Sequence, residues 1–80
     1  MYYAIAEQTE KILGKEIWYE EWRVSKDEIA IEISGDWKHD HLRADYLMEQ
    51  NGFELIKQWV TKEDGSDWYK GVHVYRKENA

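Results

Sequence analysis

The chain has 80 residues with five Trp, six Tyr and one Phe, no cysteine and no proline. Its length fits one domain near the lower limit for a self-sufficient core, so large rings must supply much of the buried area. The absence of cysteine excludes disulfides and thiolate metal sites. Seventeen acids against eleven bases give a formal charge of −6, which disfavours bulk attraction to nucleic-acid phosphates or anionic membranes.

In chain order, Ile5, Thr9, Ile12 and Leu13 recur at helical spacing and Gly14 follows as a stop, which predicts a helix over 3–13. Residues 16–24 are rich in strand formers, with Trp18, Trp22 and Val24 expected on one face and Ile17 and Tyr19 on the other. Ser25-Lys26-Asp27 supplies a turn. Ile29, Ile31 and Ile33 then alternate with Glu28, Ala30, Glu32 and Ser34, the pattern of a strand over 28–34 with one buried side. The short connection makes the two strands an antiparallel hairpin.

Gly35-Asp36 breaks the strand, and Asp36 is a suitable N-cap for a helix over 36–51 that ends at Asn51-Gly52. Trp37, His41, Ala44, Leu47, Met48 and Asn51 share its broad inner face. A second hairpin follows, with strands over 53–61 and 67–77 around an Asp64-Gly65 turn. Phe53, Leu55 and Trp59 are expected on one face of the third strand and Ile56 and Val60 on the other. In the last strand, Trp68, Val72 and Val74 oppose Tyr69, His73 and Tyr75. The reading is a single α+β domain over 1–80, ordered α-β-β-α-β-β: a two-layer sandwich with four antiparallel strands and both helices on one face. The segments after Gly14 and Gly52 also align loosely around Trp22 and Trp59, a hint of internal duplication.

No apolar run approaches the ~20 residues of a membrane span, and the first residues lack the basic flank and apolar stretch of a signal peptide. The expected setting is the cytoplasm.

Asp36, His39, Asp40, His41 and Asp45 form the densest cluster of ligand-type side chains. His41 and Asp45, four apart on a helix, face the same way, and His73 can join them from the sheet. Such a group can hold a divalent ion or fix an imidazole for proton transfer. Against this, His39 and His41 point to opposite sides of a helix, and a lone imidazole on an apolar face is most often a hydrogen-bonded core residue. Phosphate-loop, activated-serine and thiol signatures are absent, so a small metal-dependent or acid–base enzyme centred on His39, His41 and Asp45 is the alternative reading.

The preferred expectation is a non-enzymatic domain without a cofactor that binds another protein, a second copy of itself being one candidate. Its predicted contact surface is an open sheet face carrying Tyr69, His73 and Tyr75, edged by Glu28 and Glu32. A sharper form makes it an inhibitor whose carboxylates occupy a basic groove, in keeping with the composition of many small phage and mobile-element proteins. Those carboxylates argue against a single-stranded nucleic-acid platform, the third reading. Leu42 and Tyr46 mark a smaller apolar pair on the helix flank, expected to pack on the first helix.

Overall fold

The computed structural model describes residues 2–35, 37–62, 64–65 and 68–78, with side chains from residue 4 onward except at 37–38. The elements are α1 (Tyr2–Leu13), β1 (Glu20–Val24), β2 (Glu28–Gly35), a π-helical turn (Trp37–His41) that runs into α2 (Leu42–Gln50), β3 (Phe53–Lys62) and β4 (Tyr69–Lys77). The predicted α+β order is present, and the four antiparallel strands lie in the order β1-β2-β4-β3. The inner strand of each hairpin therefore pairs with the inner strand of the other, and each helix–hairpin unit places its first strand outermost.

α1 buries Ile5, Thr9 and Leu13, as its spacing predicts, and the Thr9 hydroxyl donates to the Ile5 carbonyl at 2.9 Å. His41 at the end of the π-helical turn and Ala44 and Met48 on α2 form one continuous inner face. Asp36, the predicted N-cap, lies outside the described residues, as does Asp67 at the start of the predicted last strand. Of Asn51 and Gly52, only Gly52 takes the left-handed conformation, with φ of 84°, that closes the helix. Gly65 does the same in the second hairpin turn, at φ 71°.

The core lies between sheet and helices, where Ile29, Ile31 and Ile33 meet Ile5, Leu13, Ile17, Ala44, Met48, Phe53 and Tyr75. On the opposite face Ala30, Val72 and Val74 form a separate small cluster. Among the described residues no helix is long and apolar enough to cross a membrane.

Three expected face assignments are corrected by the register. A bulge between Glu21 and Arg23 interrupts the alternation of β1, so Val24 packs on the core while Trp22 stands 62% exposed on the other side. The strand is also shorter than expected; residues 16–19 lie outside it, with Ile17 buried and Trp18 exposed. A second bulge, between Leu55 and Lys57, has the same effect on β3. Phe53 and Leu55 face the helices, whereas Trp59, beyond the bulge, faces away opposite Val72. A bulge inserts one residue and so reverses every later side chain.

The third correction concerns β4. Tyr75 pairs with Ile29, His73 with Ile31 and Gly71 with Ile33, so these residues share the isoleucine face beneath the helices. His73 and Tyr75 are fully buried there, Tyr69 is half-buried at the same side, and the valines face outward. The expected open surface of Tyr69, His73 and Tyr75 is therefore inside. The physical reason is that α2 supplies polar partners for a tyrosine hydroxyl and an imidazole, and valines need none.

Candidate functional site

Two places concentrate chemistry: a buried polar chain under α2, and the sheet face that the helices leave open.

The polar chain begins at Asp45. Its Oδ1 accepts the Tyr75 hydroxyl at 2.6 Å and lies 2.9 Å from His73 Nδ1. Its Oδ2 accepts from Gln58 Nε2 at 2.8 Å, and the same amide nitrogen lies 3.0 Å from His73 Nδ1. With the carboxylate accepting, His73 carries its proton on Nδ1 and turns Nε2 toward His41 Nδ1, 2.8 Å away. The Tyr69 backbone lies beside the His41 ring. Gly71 makes the close approach of His41 feasible, since a Cβ there would lie 3.0 Å from the ring and 2.6 Å from Val60 Cγ2. Glycine inside a strand marks such an approach.

His41 and Asp45, which helical spacing turns the same way, are linked through His73, which was expected on the open face and instead bridges the two. His39 is separate, exposed on the far side of the π turn. The sequence reading did not include Gln58 or connect Tyr75 to Asp45. The signal for both was the run of polar groups on a strand face otherwise lined by isoleucines. Among the described residues no three His, Cys, Asp or Glu side chains converge as a metal cage would require.

Asp45, His73 and His41 stand in the order of a carboxylate-oriented imidazole pair. Both rings are fully buried. Among the described residues, the groove on the α2 flank, about 520 Å³, is lined by Glu16, Ile17, His39, Asp40, Leu42, Arg43 and Tyr46. His41, Asp45 and His73 do not reach it. Leu42 and Tyr46 are exposed on this groove rather than packed beneath α1.

Burial, and then the neighbouring His73 ring, push His41 below its ordinary 6.5, against the weaker opposing influence of the Tyr69 backbone, Asp40 and Asp45. Burial, then the charge and hydrogen bond of Asp45, then Glu49, push Tyr75 above its ordinary 10.0. Tyr19 is pushed up to about 12 by burial, Glu21 and Glu10. The sign of the linkage follows from proton uptake. Below pH 6.5 the unfolded chain binds a proton that the folded His41 resists, so stability falls as pH drops. Above pH 10.0 the unfolded tyrosines release protons that the folded ones retain, so stability falls again. Urea midpoints measured from pH 5 to 11 are expected to plateau between these limits. Midpoints that keep rising below pH 6.5 would contradict the placement of His41.

On the open face the floor is Ala30, Val72 and Val74, with Trp22 and Trp59 on the outer strands at either side. Together with Arg23 these residues line a trough of about 270 Å³. Trp59 is 49% exposed, and Lys57 Nζ lies 5.2 Å from its ring centre. Glu28 and Glu32 are on this face as predicted, but each faces a base on β4: Arg76 at 3.4 Å and Lys70 at 3.9 Å. Trp22 and Trp59, the pair around which the two halves of the sequence align, are the residues that replace the tyrosines as its aromatic groups.

Comparison with protein-family models, with curated proteins and with solved structures finds no match. The functional reading therefore stands on the geometry.

Proposed function

We propose that the chain is a small, cytoplasmic, non-enzymatic protein-binding domain whose contact surface is the open sheet face between Trp22 and Trp59. One observation carries the reading: two large, half-exposed or more exposed rings stand either side of a floor of small apolar residues, on the face turned away from the helices. Such rings remove much area from water at small entropic loss, and Trp is enriched among residues that dominate binding energy. The partner is a folded protein surface with an apolar centre and charges of both signs.

The other readings have less support. Acid–base chemistry requires a reactive group within reach of substrate, and His41 and His73 are sealed. Nucleic-acid stacking on the two tryptophans lacks the basic excess that phosphate binding draws on, because Glu20, Glu28, Glu32 and Glu54 offset Arg23, Lys57, Lys70 and Arg76 on the same face. The pairing of Glu28 and Glu32 with bases favours a mixed-charge partner over a purely basic groove.

The test is calorimetric titration of a purified partner, recovered by crosslinking from position 59, against wild type, Trp22→Ala, Trp59→Ala and Trp18→Ala. Trp18 is 82% exposed but outside the face, so it serves as control. Each of the first two substitutions is expected to weaken binding at least tenfold, a loss of about 1.4 kcal/mol or more, and the control less than twofold. Equal affinity for all four proteins would remove the proposal. A gel shift with single-stranded oligonucleotide that Trp59→Ala abolishes would replace it with the nucleic-acid reading.

A further inference from the structure

We infer that the partner of this face is a second copy of the chain, stacked sheet to sheet about a two-fold axis parallel to the strands; the inference rests on the open face being the contact surface. Charge singles out this face. The register places Glu20, Glu28, Glu32 and Glu54 on that face among the described acids, and Arg23, Lys57, Lys70 and Arg76 among the described bases. Four acids less four bases is zero, in a chain whose formal charge is −6. The rest of the chain carries the whole of that −6. Two copies that meet here do so without net repulsion.

The distribution of those charges selects the axis. In the central strands, β2 carries the acids Glu28 and Glu32, and β4 carries the bases Lys70 and Arg76. An axis parallel to the strands, between β2 and β4, lays β2 of one copy over β4 of the other and keeps each residue in its row. Glu28 then lies over Arg76 of the second copy, and Arg76 over its Glu28, the reciprocity that an isologous contact requires. An axis across the strands would instead set β2 over β2, acid against acid. With the favoured axis, β1 lies over β3, so the strand that carries Trp22 meets the strand that carries Trp59. The rings close over both troughs from the sides, and the Ala30, Val72 and Val74 floors face one another. Arg23 and Lys57 are the like-charged pair in this arrangement, and they meet at the solvated rim, where repulsion is screened.

Size sets the expected strength. Strands of five, eight, ten and nine residues spaced ~4.8 Å apart present a face on the order of 500 Å² in projection, at the lower end for specific interfaces. The pair is therefore expected to form and dissociate with concentration.

The experiment is sedimentation equilibrium over a wide concentration range on wild type, Glu28→Arg, Arg76→Glu and an equimolar mixture of the two variants, with far-ultraviolet dichroism to verify folding. The expected result is a wild-type monomer–dimer equilibrium, at least tenfold weaker for either variant alone. In the mixture, the central strands of one face offer two bases in that row and those of the other two acids, so heterodimers are expected to form at least as tightly as the wild-type pair. Two variants that each dimerise like wild type, with no preference for each other when mixed, overturn the arrangement. A wild-type chain that stays monomeric at millimolar concentration overturns self-pairing altogether, while the tryptophan titration against another protein still decides whether the face is a contact surface.

Discussion

Asp45→Ala is expected to destabilise the fold by roughly 3–5 kcal/mol, because it leaves buried donors without an acceptor. The carboxylate receives the Tyr75 hydroxyl, the His73 Nδ1–H and the Gln58 amide. An unmatched buried donor forfeits about 1–3 kcal/mol, and three sharing one acceptor do not add fully. An 80-residue domain has on the order of 4–12 kcal/mol in total. The variant is therefore expected to lose much of its stability, and urea denaturation followed by Trp fluorescence measures the loss. Asp45→Asn retains one acceptor oxygen, and Gln58 can rotate its amide to meet the new one, so its loss is expected to be less than half as large. If Asp45→Ala unfolds at the wild-type midpoint, the buried polar chain does not hold the fold together.

Gly71→Ala is expected to destabilise by about 1–3 kcal/mol through overpacking. The added carbon would lie 2.6 Å from Val60 Cγ2, 3.0 Å from His41 Cε1 and 3.0 Å from the Trp59 carbonyl oxygen. Val60 can yield by rotation, but the other two contacts are a ring held by its hydrogen bond to His73 and a backbone atom. For a domain of this size the expected loss corresponds to a fall in melting temperature of roughly 4–8 °C per kcal/mol. Combining Gly71→Ala with Val60→Ala isolates the side-chain part of the clash. The pair is expected to be more stable than the sum of the single losses predicts, read as a coupling in a double-mutant cycle. Strict additivity would mean that Val60 does not press on position 71.

The strand and helix order was legible because its signals are local: the alternation of Ile29, Ile31 and Ile33, the helical spacing of Ile5, Thr9 and Leu13, and the glycines at 52 and 65. Sidedness was not. Alternation assigns two faces to a strand without saying which is buried, and β4 carries large groups on both. Valine against tyrosine suggests the valine side, yet His73 and Tyr75 go inside because Asp45 on α2 and His41 on the turn before it await them. The bulges at Trp22 and Ile56 carry no signature in a single chain, and each one inverted the rest of its strand. For the site, His41 and Asp45 were visible as a pair on helical spacing, whereas His73 was expected on the open sheet face and joins them because β4 turns its other side inward. Gln58 was hidden by the bulge before it, which turns it inward beside His73.

Those same two irregularities have a consequence for how the molecule behaves when crowded. They sit on β1 and β3, the outermost strands, whose unpaired backbone groups would otherwise template the addition of another strand. Each interrupts the row of free amides and carbonyls, and Glu20, Glu21, Arg23, Glu54 and Lys57 add charge along the same margins. Growth of the sheet from its margins into fibres is thereby opposed at both ends. The chain can keep the tryptophans and the Ala30, Val72 and Val74 floor in water while its sheet edges resist polymerisation.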